Sequence, residues 1–255
     1  MKAAFNELSY GFAFVNGFVA KLPGLQSAPF FPTLLEEGLT AGFDVSIDYA
    51  GSPLFLQFKL SDALVRSNAS YWAQHWGPYF RFDITNLKIS LQHNLLRGLS
   101  QFEPDVYCVA PLLFGIADFN NYFLTNDIAN RSIWVPVSTL PDLVDTDQHQ
   151  ITFVDTKFFA WHSIEYDGHE GDVSAEATIE RIRSSLAGTQ RRNITREYLL
   201  ELRDHLEEGI RQVGWDALPA FLHDASNAEV VRDIRFMLTT FYNAEMLILR
   251  EVPSL

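Results

Sequence analysis

Gln57 and Lys59 stand two residues apart in an otherwise apolar run, Leu54-Phe55-Leu56-Gln57-Phe58-Lys59-Leu60. In a strand, that spacing sets both side chains on one face. The preceding segment, Phe43 to Asp48, alternates in the manner of a second strand and carries Asp44, and a turn joins the two. The pair brings Asp44, Gln57 and Lys59 toward one edge. These groups suit phosphodiester hydrolysis, in which a divalent cation stabilises charge on the phosphorane, lowers the pKa of an attacking water and takes a carboxylate as a hard oxygen ligand. Asp44 is the candidate ligand, and the backbone carbonyl of Phe58 can complete the coordination. Lys59 can orient the water and offset developing negative charge. The same residues also admit a plainer reading, with a lysine snorkelling from a strand end and an aspartate in a turn.

Asp44, twelve intervening residues, then Gln57-Phe58-Lys59 resembles the PD-(D/E)xK nuclease superfamily, in the branch where Gln replaces the second acid, as in Mrr-like restriction enzymes and related resolvase-like nucleases. That superfamily's core runs helix, three strands, helix, strand. The chain reads in the same order: a helix over Phe5 to Lys21, the two motif strands, a third strand over Tyr79 to Ile84, a helix from about Lys88 to Gln101, and a strand at Val106 to Ala110. The resemblance covers residues 1–111. It implies an α/β fold with a central mixed sheet of restriction-endonuclease-like type, Mg²⁺ or Mn²⁺ as cofactor, and nucleic acid, DNA before RNA, as substrate. It also implies a setting in a restriction or anti-phage defence complex. The chain departs from the pattern in lacking a Pro before Asp44 and in offering the neutral Gln57, a weaker ligand for a hard cation than carboxylate. Such families recruit a glutamate from the first helix, and the candidates are Glu7, or Glu36 and Glu37 ahead of the first motif strand. Each of these also reads as a solvated surface acid. Gln92 and His93 open the next helix, where related nucleases place polar residues near the phosphate.

Composition bounds these readings. The chain has 255 residues, 47% of them hydrophobic, which is enough for a sizeable core in one or two domains. No run approaches the ~20 uninterrupted apolar residues of a membrane span, and acidic and polar residues interrupt the N-terminus, so the sequence points to a cytoplasmic protein without a membrane partner. A single cysteine, Cys108, excludes an internal disulfide and reads as a small core residue. The formal charge of −13 opposes free-standing binding to a polyanion. A protein partner or a homo-oligomer that supplies a basic surface would reconcile charge with motif. So would a non-catalytic, nuclease-like assembly or regulatory subunit, in which Gln57 has lost its chemical role.

The remainder divides at residue 172. Residues 112–172 are expected to extend the sheet, with a helix over Ala117 to Asn126, a strand over Ser132 to Val137, a longer strand over Ile151 to Trp161 and a polar loop from His162 to Asp172. Residues 173–255 are expected to form a helical subdomain. Thr195 caps a helix over Arg196 to Gln212, and an apolar stripe predicts a second over Asn227 to Leu249. The run His75-Trp76-Gly77-Pro78-Tyr79-Phe80-Arg81-Phe82 reads as aromatic core with a Gly-Pro turn, or as a surface that stacks a base. His162 and His169 read as a solvated loop or as transition-metal ligands. No Gly-x-x-x-x-Gly-Lys loop and no Gly-x-Gly-x-x-Gly fingerprint is present, which argues against an autonomous ATPase or a dinucleotide enzyme.

Overall fold

A computed structural model describes residues 1–20, 25–29, 49–50, 52–162, 166–187, 193–215, 218 and 225–251. The elements in chain order are α1 (Glu7–Ala20), β1 (Leu25–Pro29), β2 (Tyr49–Ala50), β3 (Ser52–Phe58), β4 (Asp62–Leu64), α2 (Trp72–His75), β5 (Tyr79–Ile84), α3 (Gln92–Phe102), β6 (Val106–Pro111), α4 (Ile116–Leu124), β7 (Ser132–Pro136), β8 (His149–Phe153), β9 (Phe158–His162), β10 (Tyr166–Glu170), α5 (Ala175–Ala187), β11 (Asn193–Ile194), α6 (Arg196–Gln212), α7 (Asn227–Met237) and β12 (Glu245–Glu251). The fold is α/β. The first sheet has the order β1-β12-β3-β6-β7 and is mixed, because β3 and β6 run parallel while every other neighbouring pair is antiparallel. A parallel pair needs a crossover, and α3 supplies it.

Both faces of this sheet are covered, which is why β3 and β6 read as nearly continuous apolar runs. Leu54, Leu56, Phe58, Tyr107, Val109 and Trp134 point to one face, where they meet Tyr10, Phe14 and Phe18 of α1 and Ile179 and Ile182 of α5. Phe14 lies 4.8 Å from Trp134 and 5.5 Å from Phe58, ring centre to ring centre. At Gly11 a Cβ would come within 3.1 Å of the Phe58 ring, so the helix seats closely there because glycine has no side chain. The opposite face carries Phe55, Val106, Cys108 and Ala110 and is closed by α3, α6 and α7.

The second sheet, β10-β9-β8-β5-β4, is antiparallel throughout. Its inner face, with Phe82, Ile84, Ile151, Phe153, Phe159 and Trp161, joins the same core as α3, α6 and α7. The third motif strand expected from the resemblance forms over Tyr79–Ile84 as read, but it belongs to this second sheet and pairs with β4 and β8 rather than with the strand of Gln57. Its alternation explains the placement, since a strand buried on one face suits an antiparallel sheet whose other face looks outward.

Further expectations are corrected. The run Ile151 to Trp161 is a hairpin, β8 and β9, because the Asp155 side chain accepts a hydrogen bond from the Lys157 amide at 2.8 Å and turns the chain. Within the segment expected as a polar loop, Tyr166–Glu170 forms β10 and pairs with β9. The helix expected over Asn227 to Leu249 ends in a π-helical turn at Leu238–Tyr242, and Asn243 follows in the left-handed region at φ 47°. Residues 245–251 become β12, which lies between β1 and β3. The segment 173–255 is therefore not wholly helical. A short apolar run such as Met246-Leu247-Ile248-Leu249 fits a helix and a buried strand alike.

Other elements follow their local signals. The Thr195 hydroxyl accepts from the Tyr198 amide at the start of α6, and Gly214 follows its end at φ 87°. Ser226 and Glu229 form a reciprocal capping box on α7.

Because β12 fills the gap between β1 and β3, removing residues 245–255 should abolish the cooperative thermal transition and not merely trim a helical tail. Leu247→Ala, at a site 1% exposed, should cost about 2–5 kcal/mol in urea unfolding.

Candidate functional site

Gln57 and Lys59 lie at the carboxyl end of β3, beside the parallel strand β6. In open sheets this end is where ligands gather. Gln57 shares its face with Phe55 and with Cys108, its register partner on β6. It is 2% exposed, and both ends of its amide are engaged: Nε2 donates to the Tyr242 carbonyl at 3.3 Å, and Oε1 accepts from the Cys108 thiol at 3.4 Å. Burial pushes that thiol up to about 11, the positive charge of Lys59 opposing in part. Cys108 is thus a core residue, not a nucleophile.

Lys59 continues the strand, its amide bonded to the Val109 carbonyl at 2.9 Å, and its side chain is partly exposed. It acts electrostatically on His93, the second residue of α3. His93 is buried, with Nε2 2.7 Å from the Pro141 carbonyl. Burial, together with Arg97 and Lys59, holds its pKa down to about 4, against the opposing hydrogen bond to Pro141 and the charge of Asp142. The crossover thus brings Lys59 and the polar start of α3 toward one end of the sheet.

Glu7 is placed differently. It stands in the first turn of α1, and α1 covers the Phe58 face, so its helix and the side chains of Gln57 and Lys59 are on opposite faces. Phe58 itself is packed against Tyr10 and Phe14 through its ring. Asp44, Glu36 and Glu37, with the expected strand Phe43 to Asp48, lie outside the described residues. Among the described residues no group of three or more His, Cys, Asp or Glu side chains is gathered for a metal, and no helix is long and apolar enough to cross a membrane. Glu245 went unnoticed in the sequence because it fell inside the expected helix. It opens β12 opposite Leu56, and burial raises its carboxyl above the usual range, the charge of Arg235 opposing.

A second polar cluster occupies the outer face of the second sheet. His75 Nε2 lies 2.7 Å from the Thr152 hydroxyl, and His162 Nε2 lies 2.6 Å from the same oxygen. One hydroxyl proton serves two imidazoles, so with both rings neutral Thr152 donates to one and accepts from the other. Tyr71 stacks on His162 at 3.7 Å, and Tyr79 stacks on His75 at 4.8 Å. Gln150 Nε2 donates to the Tyr71 hydroxyl at 3.2 Å. Thr152 is fully buried and His162 nearly so. Desolvation lowers the pKa of His75, and desolvation with the charge of His75 takes His162 to about 4. Sequence reasoning noticed His75 and His162 separately, but nothing in the linear pattern joined residues 87 positions apart.

Comparison with known proteins adds no relative. No family model, no curated protein and no solved structure matches the chain significantly.

Both clusters make the fold sensitive to acid. His93 and His162 carry folded pKa values near 4, below the ~6.5 of an unfolded histidine. The unfolded state therefore takes up protons first as pH falls, and the stability these two residues contribute is complete above about pH 6.5 and is lost progressively toward pH 4. Urea midpoints measured at pH 7 and pH 5 should differ for the natural chain, and the difference should shrink in a His93→Gln, His162→Gln double variant.

Proposed function

We propose that the chain is a metal-dependent nuclease of PD-(D/E)xK type, in which Asp44 binds Mg²⁺ or Mn²⁺ and Lys59 orients the attacking water and offsets charge on the phosphorane. The observation that supports this is the β3–α3–β6 unit, which sets Gln57 and Lys59 at the carboxyl end of a parallel pair, with His93 at the start of the crossover helix within electrostatic reach of Lys59. The resemblance calls for a strand, helix and strand after the motif, but also for a third strand over Tyr79–Ile84 in the same sheet, and that strand lies in the second sheet. A hard cation there takes oxygen ligands and polarises the phosphate, and an ammonium group nearby adds transition-state stabilisation that water provides poorly. The restriction-endonuclease-like form of the sheet, the DNA substrate, the defence setting and the cytoplasmic location belong to the same proposal.

One observation favours a second reading. Both ends of the Gln57 amide are engaged, by Tyr242 and Cys108, inside the core, which is where a structural side chain would sit. A non-catalytic, nuclease-like subunit would keep Gln57 for packing and use the fold for assembly with a partner.

With Mg²⁺ or Mn²⁺ present, the protein should cut nucleic acid, and Asp44→Ala or Lys59→Ala should each lower the rate about 100-fold or more while leaving the thermal transition in place. Gel assays on DNA and RNA substrates read the rate, and EDTA should stop it. Cutting that persists in the double variant would assign the activity elsewhere. In either reading Gln57→Glu replaces the donor to Tyr242 with an acceptor and should destabilise by about 1–3 kcal/mol.

A further inference from the structure

Trp76 is 94% exposed, and its backbone lies in the left-handed region at φ 56° and ψ 24°. A bulky residue pays for that conformation, and an indole left in water forgoes the gain of burial. Its neighbours hold it there. His75, the residue before it, is bonded to the buried Thr152, and the Gly77 amide bonds back to the Trp72 carbonyl at 3.2 Å. Gly77 itself has φ 154° and Pro78 follows, so the turn is stiff on both sides.

The platform is connected to the candidate hydrolytic end of the sheet. Lys59 is three residues from Asp62, a span of at most about 10 Å. Asp62 lies opposite Arg81, with a carboxylate oxygen 3.8 Å from the guanidinium. Arg81 in turn lies opposite Thr152, which is bonded to His75 beside Trp76. Two strand-to-strand steps add about 10 Å, so a few nucleotides of extended single strand cover the distance. Arg81 is only loosely held, at 3.8 Å from Asp62 and 3.4 Å from Gln150, and a phosphate oxygen would make a shorter, charge-assisted bond with it.

We propose that Trp76 is a stacking platform for an unpaired base, with Arg81 receiving a nearby phosphate, so that nucleic acid passes as a single strand over the segment, carrying Tyr71 and His75, that covers the outer face of the second sheet. The identity of the polymer rests on the nuclease reading; the stacking itself requires no chemistry. An exposed indole accepts the face of any unpaired base, whereas bases inside a duplex are already stacked on one another.

The test is fluorescence anisotropy of a labelled oligothymidylate and of a duplex of equal length, in low salt with EDTA so that nothing is cut. Trp76→Ala should weaken single-strand binding about ten-fold or more and leave duplex binding unchanged. Trp76→Phe should keep most of the affinity, and Thr152→Val, which frees His75, should fall between. Equal single-strand affinity for the natural chain and Trp76→Ala overturns the proposal, as does an absence of single-strand binding by the natural chain. Trp76-dependent binding without metal-dependent cutting anywhere would remove the nuclease reading alone, and cutting with Trp76-independent binding would remove the platform alone.

Discussion

The pairing of β12 with β3 is the constraint on which the rest depends. A strand with neighbours on both sides must satisfy all its backbone donors and acceptors within the sheet, and β3 does so between β12 and β6. The last described strand of the chain therefore completes the neighbourhood of Gln57. The register that sets Met246 against Phe55 and Leu247 against Leu54 also decides which side chains face α1 and which face α3. A slip of one residue would exchange the two faces.

That arrangement explains why two polar residues in one apolar strand behave so differently. Gln57 lies within the covered part of the sheet, and a neutral amide there is tolerable because both its donor and its acceptor find partners. Lys59 lies just beyond the last residue of β3, where the strand leaves the covered zone and an ammonium keeps contact with water. A carboxylate at position 57 would have faced a carbonyl and a thiol in a low-dielectric interior. The neutral residue is thus as well explained by its surroundings as by any departure from a nuclease pattern.

The second sheet shows the other way of handling polar groups. Its outer face is closed by a short segment carrying Tyr71 and His75, and the polar side chains beneath are joined through shared hydrogen bonds and ring stacks. A network of that kind rigidifies the segment when every member is satisfied. It also keeps the imidazoles neutral, since an added proton would take the hydrogen-bond acceptor away from Thr152.

The sequence by itself determined most of the local elements. Thr195 and Gly214 bracket α6, the alternation over Tyr79–Ile84 predicts β5, and the apolar runs predict β3 and β6, because caps and periodicities act over a few residues and are written in them. The spacing of Gln57 and Lys59 likewise ensured that they would share a face. Only the tertiary structure decided which strands became neighbours. It put β5 in a separate sheet, brought residues 245–251 into the centre of the first one, set α1 with Glu7 against the Phe58 face, and joined His75 to His162 through Thr152. A run such as Met246 to Leu249 has the hydrophobicity for either a helix or a buried strand, and the choice falls to whichever conformation satisfies the open edges of β1 and β3. Those edges are hydrogen-bonding groups of distant residues, and no local pattern in the chain encodes them.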